Sequence, residues 1–167
     1  RLKWNGIEVE TLQADKKLKV EMYYIKDYKT VEKPYEGHYL HSKIEVEGKE
    51  QTVQFYKGDY IIKTNQAENQ YLIHALEPTS ADSYFAWNFF DAILQQKEYF
   101  SPYVFEDVAA ELLKTNPDLR KRFDAKKAAD EKFANNAYAQ LLFIYQNSPH
   151  YEKTHNRYPI GRAIEAF

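Results

Sequence analysis

The chain has 167 residues and a formal net charge of −2, which fits one domain, or one domain plus an extension. The near-neutral charge argues against nucleic acid or an anionic membrane as the main partner. With no cysteine, disulfides and thiolate metal sites are excluded, and no apolar run approaches the roughly 18 residues that span a bilayer.

The chain begins at Arg1 rather than Met and shows no signal peptide, so we expect its true start to be missing, by processing or because it is a piece of a longer protein. Residues 1–17 read as a lead-in segment with little pattern beyond Leu2, Trp4 and Ile7. Strands are expected over about 18–63. Leu18, Val20, Met22 and Tyr24 alternate with Lys19, Glu21 and Tyr23, the period of a half-buried strand. After a loop marked by Lys33-Pro34 and Gly37, Leu40, Ile44 and Val46 alternate with polar residues. Glu47-Gly48-Lys49-Glu50 reads as a hairpin turn into Thr52–Tyr56, and Lys57-Gly58-Asp59 as a second turn into Tyr60-Ile61-Ile62. His38 and His41 form HxxH, but residues three apart on a strand face opposite ways, so both are read as solvent-edge histidines.

Helices are expected over about 66–147. Asn65 with Glu68 resembles a capping box opening a helix through Leu76, with Ala67, Tyr71, Ala75 and Leu76 inward, before Pro78 stops it. Ser80 or Asp82 would cap a second helix carrying Ala86, Phe89, Phe90 and Ile93, part of the aromatic-rich stretch 82–107 that reads as the anchor of the core. Ser101-Pro102 starts a helix with an apolar stripe of Phe105, Val108, Ala109, Leu112 and Leu113. Asn116-Pro117 starts a charged one with Leu119 and Phe123 inward, and a last helix runs near 136–145 with Tyr138, Leu141, Leu142 and Tyr145 on one side. Residues 148–167 read as an irregular tail. The fold class is therefore α+β: an antiparallel β-meander in the first third, then a helical, aromatic-rich remainder, with 18–167 forming one domain.

The sharpest short pattern is His74-Ala75-Leu76-Glu77, an HxxE that could offer zinc an imidazole and a carboxylate, with His150 or His155 as third ligand. Against this, a two-position pattern arises easily by chance, and a helix-borne His followed by a surface Glu is the simpler reading. The basic cluster Arg120, Lys121, Arg122, Lys126 and Lys127 is interleaved with acids and reads as a solvated face. Tyr84, Trp87 and Tyr151 are the candidates for holding a glycan or peptide if some of the aromatics line a cleft.

Several stretches form an ordered series: Tyr35-Glu36-Gly37-His38-Tyr39, Gly58-Asp59-Tyr60-Ile61-Ile62 and Thr64-Asn65-Gln66, then Leu76-Glu77-Pro78 and Asp82 through Asp91. Gln96-Lys97-Glu98, Ser148 through Glu152 and Arg157-Tyr158-Pro159 complete it. In this order and spacing the series resembles the C-terminal region of bacterial zinc carboxypeptidase-like proteins, of the metallocarboxypeptidase family. The resemblance runs from about Leu18 to Arg162. It implies a non-catalytic accessory domain, periplasmic or secreted. Its partner would be an upstream catalytic domain of the same polypeptide, which holds the zinc and hydrolyses C-terminal peptide bonds. None of that family's zinc ligands or catalytic residues carries over to this chain, which is expected to hold no cofactor and to meet peptide substrate only indirectly. His74 and Glu77 fall at the family's Leu-Glu-Pro element rather than at its zinc motif. The alternative reading is a free-standing glycan- or peptide-binding module.

Overall fold

Two fifteen-residue strands, β2 (Lys16–Thr30) and β3 (His41–Phe55), pair antiparallel from Lys16↔Phe55 to Thr30↔His41 in a computed structural model that describes residues 1–165. The alternation expected for the first strand holds, with Val20 and Met22 buried. The turn expected at Glu47–Glu50 does not form: Gly48 stays in the strand opposite Tyr23, with the Glu21 carboxylate covering the space where a Cβ would project. The chain reverses instead in residues 31–40, where Tyr35 and His38 exchange backbone hydrogen bonds of 2.9 and 2.8 Å. Between them Glu36 and Gly37 both take positive φ (49° and 79°), as the tightest hairpin turns require.

The expected lead-in is an integral part of the fold. A 3₁₀ turn, Leu2–Asn5, precedes β1 (Glu10–Thr11), which pairs with β4 (Tyr60–Ile61), while Ile7 and Leu12 are buried. The Lys57-Gly58-Asp59 turn is as read, with Gly58 at φ 97° and bonded to the Leu12 carbonyl. α1 spans Asn69–Leu76 and buries Leu72 and Ala75, but the capping box is absent, since Glu68 stands at the N-cap without a side-chain bond.

The second expected helix is also absent. From Pro78 to Phe90 the chain makes successive tight turns, and only Asp91–Leu94 forms a short 3₁₀ helix. The irregular tail is corrected too. β5 (Arg157–Ala163) pairs antiparallel with β2, giving the strand order β3-β2-β5. Pro159 and Gly161 made it read as coil, yet an edge strand tolerates proline. Glycine is needed at 161, because an added Cβ would lie 2.7 Å from Met22 Sδ. The last two positions of that tail lie outside the described residues.

The chain divides into two compact units: Arg1–Gln95 with the chain from Thr154 onward, and Gln96–Lys153. The first is centred on Ile25, Phe85 and Tyr158, with Phe85 and Phe90 meeting the Tyr158 ring edge-on at 6.1 and 5.4 Å.

The second unit is helical: α2 (Pro102–Thr115), α3 (Pro117–Ala129), α4 (Glu131–Ala134) and α5 (Ala137–Gln146). Side chains of Asn116, Asp130 and Asn136 accept the N–H of Leu119, Phe133 and Ala139 at 3.0, 3.0 and 2.9 Å, which is why these helices start where they do. The core contains Phe105, Ala109, Leu119, Phe123, Phe133, Ile144 and Tyr145. α5 buries Ile144 and, as expected, Tyr145, whereas Tyr138 is 51% exposed and stacks on Phe100. The molecule is mixed α+β, strands early and helices late. Among the described residues no helix is long and apolar enough to cross a membrane.

Candidate functional site: an aromatic cleft beside a histidine brace

The turns between Pro78 and Phe90 explain the site. Ser83, fully buried, donates its hydroxyl to the Pro78 carbonyl (3.2 Å) and accepts from the Ala86 N–H (3.0 Å). Backbone bonds from Tyr84 to Ala75, Trp87 to Ser83 and Phe89 to Tyr84 hold the following turns. Asn88 takes φ 66°, a left-handed conformation that Asn tolerates better than most side chains. The outcome sorts the aromatics by direction. Phe85 is fully buried and Phe90 packs on the core, whereas Phe89 is 44% exposed and Trp87 only half-buried.

Arg1, Glu36, His38, Asp82, Tyr84, Trp87 and Phe89 line a cleft of about 330 Å³. The His38 ring meets Trp87 edge-on at 5.5 Å and lies 6.0 Å from Phe89, while Tyr35 stands 6.1 Å from Trp87. The Trp87 indole N–H donates to Asp82 Oδ1 at 3.4 Å. Arg1 places its guanidinium 4.7 Å from the centre of the Phe89 ring. A second, more apolar hollow of about 520 Å³ shares Arg1, Tyr84 and Phe89 and continues past Val9, Tyr60 and Ile62. Burial, with the Tyr71 phenol beside it, pushes the Tyr84 hydroxyl up to about 12, so it is neutral at any ordinary pH.

Behind the cleft lies His41, expected at the solvent edge and in fact 7% exposed. The register shift between Asp27 and Lys29, with Lys43 at φ 49°, breaks the period-two alternation and turns His41 inward. Its Nδ1 lies 3.0 Å from Thr30 Oγ1 and its Nε2 2.9 Å from Asp91 Oδ1 and 3.2 Å from Asn88 Nδ2. Its backbone N–H donates to the Ala86 carbonyl. Asn88 donates to the Tyr39 carbonyl at 2.9 Å. His41 therefore fastens the Ala86–Asp91 stretch to both long strands. His38, also expected at the edge, is half-buried in the cleft wall.

Each of the zinc candidates has another partner. His74 lies on the exposed side of α1 with Nδ1 3.0 Å from Ser80 Oγ. Glu77 accepts from Arg162 Nε at 3.1 Å, and this pairing is the main cause that raises the Arg162 pKa above its ordinary value. His155 Nε2 is 3.3 Å from the Leu94 carbonyl, and His150 belongs to the helical unit, where its ring meets Phe105 edge-on at 6.3 Å. Among the described residues no group of three or more His, Cys, Asp or Glu stands together as a metal site. Of the three aromatic candidates, Tyr84 and Trp87 share the cleft, while Tyr151 packs edge-on against Tyr145, 5.5 Å away in the helical unit.

Sequence reasoning missed Arg1, Glu36, His38, Asp82 and Phe89. The proximity of a two-residue turn at Glu36-Gly37 to an aromatic run is not visible without the tertiary fold. Comparisons with protein-family models, with curated proteins and with solved structures find no match to this chain.

Proposed function

We propose that this chain is a non-catalytic accessory domain of a zinc carboxypeptidase-like protein. In this reading an upstream catalytic domain of the same polypeptide binds zinc and hydrolyses C-terminal peptide bonds in the periplasm or outside the cell. The present chain packs on that domain or presents peptide to it.

What supports the reading is the ordered motif series and the use its members have here. Tyr158 of Arg157-Tyr158-Pro159 bonds the carbonyl of Leu76 in Leu76-Glu77-Pro78. Ser83 bonds Pro78, and Asp91 bonds His41, which follows Tyr35–Tyr39 in the chain. The series is a set of joints of one scaffold, as expected where it serves a fold rather than a reaction. His74 and Glu77 are engaged by Ser80 and Arg162.

Zinc titration of the purified chain, with hydrolysis of a blocked dipeptide followed alongside, tests this. Substoichiometric zinc and no hydrolysis are expected, together with binding in trans to the catalytic domain encoded upstream. Stoichiometric zinc lost on His74→Ala would overturn it. A second reading, a free-standing glycan- or peptide-binding module, is favoured by the Trp87 cleft and predicts that the chain binds ligand without any upstream domain.

A further inference from the structure

We propose that the Trp87 cleft is a recognition site for a positively charged side chain, the arginine or lysine of a peptide. Its walls are aromatic faces and edges from Trp87, Phe89, His38 and Tyr84. Aromatic faces attract cations through their quadrupole, and more strongly where water is excluded. Two carboxylates, Glu36 and Asp82, line the same cleft. Asp82 uses Oδ1 on the Trp87 indole, and an ionised carboxylate has further acceptor sites to offer a guanidinium or ammonium group.

The protein itself seats a cation there. The Arg1 guanidinium lies over Phe89 at 4.7 Å. Glu36 and Asp82 line the cleft together with this guanidinium. A neutral saccharide would also find rings to stack on and could donate hydroxyls to the acids, but it carries no positive charge to match the seated guanidinium. The assignment rests on the cleft alone and does not depend on the carboxypeptidase reading, so either can fail without the other.

The experiment uses the full chain carrying Trp4→Phe, which removes an 88% exposed indole and leaves Trp87 as the sole tryptophan, excited at the red edge where tyrosine does not absorb. The probes are blocked tripeptides Ala-Arg-Ala and Ala-Lys-Ala, the citrulline analogue, and chitotriose. Saturable changes in Trp87 emission with the two cationic peptides are expected, with the citrulline analogue about tenfold weaker. Glu36→Gln and Asp82→Asn, both at exposed residues and checked for native circular dichroism, should each weaken binding about threefold. Arg1→Ala removes the internal competitor and should tighten it about threefold. Equal binding of the citrulline analogue, saturation by chitotriose instead of the cationic peptides, indifference to Arg1→Ala, or no saturation by any probe would each overturn the proposal.

Discussion

The Tyr158 hydroxyl donates to the Leu76 carbonyl at 2.8 Å, tying β5 to the end of α1 across 82 residues of sequence. Tyr158 is 1% exposed, so Tyr158→Phe leaves the carbonyl without that donor in a dry setting. A loss of about 1–3 kcal/mol is expected, read as a lower denaturation midpoint with an unchanged slope.

The same burial raises the Tyr158 pKa well above its ordinary 10.0, with Glu77 adding to the effect. Tyr84 is raised likewise, by burial first. The sign follows from proton binding: below pH 10 both folded and unfolded phenols are protonated and nothing changes. Above it the unfolded chain ionises first, and stability falls until the folded phenols titrate. Unfolding free energy should decline from about pH 10 upward, and Tyr158→Phe should flatten the decline. Denaturation midpoints across that range, alongside tyrosinate absorbance, check both.

Exposure separates two aromatics of similar size. Phe85 is 0% exposed and Tyr103 is 90% exposed. Phe85→Ala should cost about 3–5 kcal/mol, whereas Tyr103→Ala should stay within about 0.5 kcal/mol. Thermal melts of the two variants distinguish these outcomes, and comparable losses would contradict the core assignment.

Glycines 48 and 161 offer a second contrast. A Cβ at either would meet an atom at 2.7 Å, but at Gly48 that atom is the end of the Glu21 side chain. At Gly161 it is the sulfur of Met22, 3% exposed, with Val20 a further neighbour at 3.4 Å. Gly48→Ala should be nearly neutral, because the end of a half-exposed, flexible Glu21 side chain can swing aside. Gly161→Ala should cost about 1–3 kcal/mol through overpacking. Urea titrations of both variants provide the check.

Sequence alone revealed the features whose causes are local. Asn116 caps the helix that Pro117 opens, the last helix starts near 136 as read, and Gly58 makes the turn before β4, so a few neighbouring residues suffice. What escaped depends on distant partners. The Asp82–Asp91 stretch carries helical spacing, yet Ser83, Asn88 and contacts to Ala75, Tyr39 and His41 hold it in turns. The direction of His41 depends on a bulge, and one shifted residue reverses a strand's facing. β5 is invisible because its strand character comes from Val20 and Met22, which lie far upstream. The cleft is the sum of these misses: Arg1, Glu36 and the Asp82–Phe89 stretch come from three separate parts of the chain, and no spacing rule joins them.

The helical stretch Gln96–Lys153 lies between the two segments of the strand-bearing unit. On the ribosome, β2 and β3 emerge early and wait unfinished until that whole stretch has been made. Only then can Tyr158 reach Leu76 and β5 close against β2. Helices built from neighbouring contacts form faster than a sheet that needs remote ones. Nascent chains stalled with Lys153 just clear of the exit tunnel should therefore carry a folded helical unit and a protease-sensitive front half, which becomes resistant once Ala163 has cleared the tunnel as well.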